Sequence, residues 1–198
     1  MRKFLSLPQE KQNRIVEAAM TLFGEAGYKK AYISEIATAS RISKALVFHY
    51  FGSKKGLYSY LVYYTGKIVM TEAQHERDTA NLDFFGRVAV TIKFRLNIKN
   101  RYPAMNAFIE SVFNENEPEV AADIERLKAI ATDMHSKVEV NPDEAGNFKG
   151  GVDPDRVVEL IEKYAEGVVY GWSSNSSVDD TMKEVDGCLN MLKTNLCK

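Results

Sequence analysis

Two cysteines and three histidines are too few, and too far apart, to build the usual inorganic or redox centres. Cys188 and Cys197 lack zinc-site or disulfide-framework spacing and read as reduced thiols on a helix. His49, His75 and His135 share no metal-ligand spacing with one another or with the cysteines. No metal site and no cofactor are expected. Long apolar runs are also missing: none approaches the roughly 20 residues that cross a bilayer, which argues against a membrane partner. The N-terminal MRKFLSLPQEKQNR turns polar too soon for a secretory signal, so a cytoplasmic location is expected. The glycines of GNFKGG lack the order of a phosphate-binding loop, and no G-x-S-x-G nucleophile elbow occurs. With no catalytic constellation to assemble, the chain does not read as an enzyme.

What is present is an ordinary globular balance, 45% hydrophobic and 27% charged residues, with an uneven distribution of charge. Residues 1–58 carry ten Lys/Arg against four acids, a net of +6; the rest carries 16 against 23, a net of -7. A basic head on an acidic body points to a polyanionic partner for the head.

The hydrophobic periodicity is helical almost throughout, with about nine helices and no convincing strand. Ser6 to Gln9 has the S-x-x-Q form of a capping box. Ile15, Ala18, Ala19, Leu22 and Phe23 follow the spacing of one buried helix face, and Gly27 suits a left-handed cap at its end. Short helices are predicted over 33–39 and 44–51, with Gly52 as a stop and Ser53 as the next N-cap. A long helix runs from Lys54 to about Arg77, and others span 83–99, 103–114, 118–137, 155–174 and 179–196. Pro103 and Pro118 sit at helix starts, Asp153-Pro154 reads as N-cap and N1, and 139–152 is the one long loop.

Within the head, Ile33 to Phe51 reads as two short helices joined by a tight turn at Ser40-Arg41-Ile42. Ile36, Ala37, Ile42, Val47 and Phe51 form the inward set. On the second helix Lys44 with Phe48, and Ala45 with His49, lie four apart on an outward side that suits a major groove. Lys44 is placed to reach guanine acceptors or a phosphate. Ala45 and Leu46 are placed for thymine methyls, and Phe48, His49 and Tyr50 for sugar and phosphate. Lys54 and Lys55 occupy the first turn of the next helix, where cations are mildly unfavourable unless an anion binds.

The residues RIVEAAMTLFGEAGY (14–28) and ISEIATASRISKALVFHYFGSKKGLY (33–58) resemble the N-terminal DNA-binding domain of TetR-family (TetR/AcrR-type) transcriptional regulators. The resemblance covers roughly the first third of the chain. It implies an all-α fold: a helix-turn-helix DNA-binding domain over 1–53, followed by a helical ligand-binding and dimerisation domain over 54–198. It implies a ligand-responsive regulator, most simply a repressor. Such a protein binds double-stranded palindromic operator DNA as a homodimer and is released by a small hydrophobic or aromatic effector. The DNA-facing set becomes Ser34, Ser43, Lys44, Ala45, Leu46, Phe48, His49, Tyr50 and Lys54, with the phosphate contact given to Lys54.

Three positions depart from the family pattern. Arg41 stands where the turn usually has glycine, so either a left-handed conformation is strained or the turn differs. Tyr32 stands where a Ser or Thr cap is common, and Phe48 replaces a common tyrosine.

The resemblance places an effector cavity between about 60 and 150. Its aromatic and apolar candidates are Tyr63, Tyr64, Met70, Phe84, Phe94, Met105, Phe108, Phe113 and Tyr164; Arg95, Asn106 and Glu110 would supply polar contacts. Taken singly, each of these reads more readily as ordinary core. The homodimer would form through 155–174 and 179–196. Those helices carry the stripes Val157, Leu160, Ile161, Tyr164, Val168, Trp172 and Met182, Val185, Leu189, Leu192, Leu196, with Gly167 and Gly171 permitting close approach. The same stripes also suit a core within one chain. The alternative function is a helical small-molecule or protein-binding module with only weak, non-specific DNA binding.

Overall fold

A computed structural model describes residues 2–75, 82–135, 140–173 and 175–198. Its elements, in order, are α1 (Arg2–Leu5), α2 (Gln9–Lys30), α3 (Ile33–Ala39), α4 (Lys44–Phe51), α5 (Lys54–His75), α6 (Phe84–Arg101), α7 (Pro103–Asn114), α8 (Ala121–His135), α9 (Pro142–Ala145), α10 (Pro154–Gly171) and α11 (Val178–Leu196). A 3-10 turn at Pro118–Val120 leads into α8. Among the described residues there is no strand, and one isolated bridge pairs Phe148 with Cys197. The all-helical expectation holds. The expected helix ends at Arg77, Lys137 and Ser174 fall outside the described residues.

The start of α2 corrects one reading. Ser6 is not its N-cap: a separate first helix, α1, precedes it, and the Ser6 hydroxyl donates to the Lys3 carbonyl at 2.9 Å. Pro8 takes the cap position without a side-chain bond, because the chain must turn to bring Phe4 inward. Phe4 is fully buried, its ring 4.8 Å from Phe51 and 5.2 Å from Tyr60.

The chain forms two compact units. The first comprises Met1–Met70 and Tyr102–Ala131. Its largest helix pair is α2 with α7. They approach closely at Gly24, where a Cβ would lie 3.0 Å from the Ala107 backbone. An aromatic cluster fills the centre: the buried Tyr58 ring lies 5.1–5.2 Å from those of Phe23, Tyr28 and Phe108. Burial drives the Tyr58 hydroxyl pKa well upward, so it stays neutral at any physiological pH. The units do not coincide with a division at residue 53, because α7 completes the core on which α2 and α5 rest.

The second unit comprises Thr71–Arg101 and Thr132–Lys198, with α10 and α11 packed on α6. Asp153 and Ser177 cap α10 and α11, accepting from the N–H groups of Asp155 and Asp180. The segment after α9 is stitched to the end of α11: Lys149 N–H donates to Leu196 O at 2.8 Å, and Lys198 N–H to Asn147 O at 2.9 Å. Arg87 of α6 and Glu144 of α9 form a two-pronged ion pair at 2.9 and 2.7 Å.

The expected apolar stripes of α10 and α11 serve the core of this unit. Val157, Ile161, Trp172, Met182, Val185 and Leu189 are buried within it, and Tyr164, Val168, Leu192 and Leu196 pack partly against it. Leu160 is the exception: it points outward, 54% exposed. The outer side of α10 carries Leu160, Gly167, Tyr170 and Gly171, and that of α11 carries Gly187 and Met191, all exposed. A Cβ at any of those three glycines would meet nothing within 4 Å.

Candidate nucleic-acid interface

The helix-turn-helix pair is held by its own chain ends and by α2. At the end of α3, Arg41 N–H donates to Thr38 O and Ile42 N–H to Ala37 O, both at 3.0 Å. This is the paired bonding of a Schellman motif, and it requires a left-handed residue at the Arg41 position. Arg41 supplies it with φ +55°, the one non-glycine residue with positive φ among those described. The turn is therefore the ordinary one, carried by a residue for which it is strained. Arg14 of α2 braces the same corner, its Nε donating to the Ser40 carbonyl at 3.1 Å.

Tyr32 caps α3 with no side-chain bond, and its ring is 61% exposed. Ser43 caps α4, accepting from Leu46 N–H at 3.2 Å. Val47 and Phe51 are buried as expected, with Ile36 and Ala37; Ile42 is half-buried. Gly52, at φ +78°, ends α4, and Ser53 caps α5 by accepting from Gly56 N–H at 2.9 Å.

Of the residues proposed to face DNA, Ser34, Ser43, Lys44, Ala45, Phe48 and His49 are exposed, and Leu46 is half-buried. Lys44 Nζ rests 5.9 Å from the Phe48 ring centroid, an i, i+4 cation–π pair on the outer face of α4. Tyr50 differs from its expected placement. It is 7% exposed, with its ring 6.1 Å from Phe4, because the small head uses every large aromatic on the inner side of α4 as core.

Lys54 is half-buried rather than outstretched. Its Nζ donates to the Lys29 carbonyl at 3.1 Å and lies 4.9 Å from the Tyr28 ring centroid. Burial lowers its pKa, against the opposing pull of Glu119, Glu115 and Glu117. Lys55, in the same turn, is exposed.

The effector candidates are distributed over both units. In the first, Met105 and Phe108 are buried core, whereas Tyr63, Met70 and Phe113 are exposed. Tyr64 and Asn106 are half-buried, and Asn106 Nδ2 donates to Glu110 at 2.8 Å. In the second, Phe94 is buried and Tyr164 half-buried. Phe84 and Arg95 come together in a cavity of about 80 Å³ between α6 and α10. Its floor adds Val88, Ile92, Val158, Ile161 and Ala165, and its polar rim adds Thr91, Glu162 and Glu166. Of those added residues the sequence singled out Ile161 alone, and for the dimerisation stripe rather than a cavity. Their signal was the facing periodicity of α6 and α10, which does not reveal which two helices pair.

This arrangement defines a helix-turn-helix head on an all-helical frame. Residues 15–61 match the model for "Bacterial regulatory proteins, tetR family". Over residues 15–61, then, the chain matches the DNA-binding head of the TetR family of transcriptional regulators. Among curated relatives, the biofilm operon negative transcriptional regulator IcaR of Staphylococcus aureus is 29% identical over 98 residues, 48% of this chain and 50% of IcaR. The HTH-type transcriptional regulator YuxN of Bacillus subtilis is 42% identical over 60 residues, 30% of this chain and 21% of YuxN. The chain thus spans half the length of IcaR and about a fifth of YuxN.

The fold likeness extends further. A TetR-family regulator from Chloroflexus aurantiacus superposes with a TM-score of 0.77 at 13% identity, covering 100% of this chain and 98% of that one. AibR, solved with isovaleryl coenzyme A and operator DNA, gives 0.66 at 18% identity over 91% and 97%.

Proposed function

We propose that this protein is a ligand-responsive transcriptional regulator that binds a palindromic operator as a homodimer. In its simplest form it is a repressor released by a small apolar effector. The observation that carries the reading is the outer face of α4. It presents Lys44, Ala45, Phe48 and His49 to solvent from a helix whose opposite side is anchored in the head core. A short, exposed, cationic helix on a rigid turn is what entry into a major groove requires. The net +6 of residues 1–58 supplies attraction to phosphates without sequence preference, and the side chains of α4 supply the reading.

Dimerisation is assigned to α10 and α11, through their outer faces rather than the stripes expected from the sequence. Leu160, Tyr170 and Met191 offer apolar contact, and Gly167, Gly171 and Gly187 leave room for a second helix to approach. Effector binding is assigned to the cavity between α6 and α10. Its walls are apolar and its rim carries one Arg and two Glu, which favours a small apolar molecule with a polar or cationic group over an anion. Operator release would follow from a change in head separation away from the spacing of successive grooves, about 34 Å.

Selection of bound duplexes from a randomised pool tests this reading. The expected product is an inverted repeat with half-sites one helical turn apart. A pool that stays random after repeated selection would instead leave a helical binding module with only electrostatic affinity for DNA.

A further inference from the structure

The α3–α4 pair leaves and rejoins the rest of the head at two points, the end of α2 and the start of α5. These points are tied to each other. Lys54 Nζ, at the first residue of α5, donates to the carbonyl of Lys29 in the last turn of α2 and covers the Tyr28 ring. The bond pinches residues 30–53 into a closed loop that contains the whole reading motif.

The same point is also fastened from outside. α2 breaks at Gly27, whose φ of +71° and ψ of 174° are foreign to a helix. The N–H freed beyond the break, on Tyr28, donates to Glu115 Oε2 at 2.7 Å. Glu115, the C-cap of α7, also accepts from the N–H groups of Asn116 and Glu117 at 2.9 and 3.1 Å. Ser111 of α7 donates to the Phe23 carbonyl at 2.9 Å, and Lys29 pairs with Glu117 at 3.3 Å.

We propose that Lys54 and Glu115 are positioning residues that clamp the Gly27 break from two sides, and that this clamp fixes the orientation of α3–α4 for reading DNA. Lys54 on this account is not a phosphate ligand. An ammonium already bonded to a carbonyl and seated on a ring has to give up both partners to reach a phosphate. The inference rests on the proposed DNA-binding function.

The two roles leave different signatures. A phosphate contact adds equally to every sequence and raises the salt dependence, whereas a positioning residue acts on discrimination. The experiment compares Lys54→Met, Lys54→Arg, Glu115→Gln and, as an exposed cation of the same turn, Lys55→Met. Each is measured on a duplex selected by the wild-type protein and on a scrambled duplex, between about 50 and 200 mM salt.

The expected result for Lys54→Met and Glu115→Gln is a selected-to-scrambled ratio lowered about tenfold, with the salt slope unchanged, and Lys54→Arg restoring the ratio. Equal loss on both duplexes, with the Lys54→Met slope falling by about 0.9, would make Lys54 a phosphate ligand and overturn the proposal. If the wild-type protein itself shows no ratio, the regulator reading fails, and the clamp is read by melting temperature instead. There, non-additive losses in the Lys54→Met, Glu115→Gln double variant support it, and additive losses remove it.

Discussion

Arg41 holds a backbone conformation that glycine adopts at no cost. Its φ of +55° is imposed by two hydrogen bonds that close α3, so the penalty stays local and is not relieved by moving neighbours. A left-handed L-residue costs roughly 1–2 kcal/mol, part of which glycine returns as extra entropy of the unfolded chain. Arg41→Gly should therefore raise unfolding stability by about 1 kcal/mol, read as a higher urea midpoint at unchanged slope. An unchanged midpoint would mean that the turn is not left-handed. The sequence showed an arginine where glycine was expected and left two possibilities open; the bonding of Ile42 N–H to Ala37 O decides for the strained one. Tyr50 was misplaced for a related reason. On an eight-residue helix the inner and outer faces share aromatic residues, and only the arrival of Phe4 from α1 shows which ring is covered.

At the level of elements, glycines separate close contact from open surface. Gly24→Ala would put a Cβ 3.0–3.1 Å from Ala107 and should destabilise the protein by about 1–3 kcal/mol, less the gain in helix propensity. Gly187→Ala, exposed with nothing within 4 Å, should stabilise the isolated chain by up to about 1 kcal/mol. Thermal melts of the two variants, at a concentration low enough to keep the chain monomeric, should shift in opposite directions.

The pairing of α6 with α9 gives a pH dependence. The two-pronged bond from Arg87 holds the Glu144 carboxyl below its ordinary value of 4.5. A depressed carboxylate contributes stability that is complete above its unfolded pKa and is lost as pH falls through the folded one. Glu144→Gln should therefore cost about 2 kcal/mol near neutrality. The gap to wild type should close as the pH drops below 4.5. A gap independent of pH would remove the ion pair from the account. Helix positions were legible from periodicity, and Pro103 and Asp153-Pro154 marked their starts correctly. Which helices pair was not. The apolar stripes on α10 and α11 fit α6 of their own chain as well as a second copy, and only the burial of Ile161 on α10 and Val185 on α11 distinguishes them.

Over the whole molecule, a basic head precedes an acidic helical body, and the proposed function gives DNA reading to the first and effector binding to the second. The helix-turn-helix of the head was readable because helix caps, turn residues and outward cations fall at fixed offsets within a short span. The proposed effector site was not, because its candidates lie in both compact units and the cavity between α6 and α10 draws on residues far apart in sequence, from Phe84 to Glu166. The most direct measurement is the affinity of the purified protein for a selected inverted repeat against a scrambled duplex of equal length at one physiological salt concentration. Sequence-specific regulation predicts a ratio of roughly a thousandfold or more. A ratio near one, with affinity that collapses as salt rises, would show a head that only senses charge and would contradict the account.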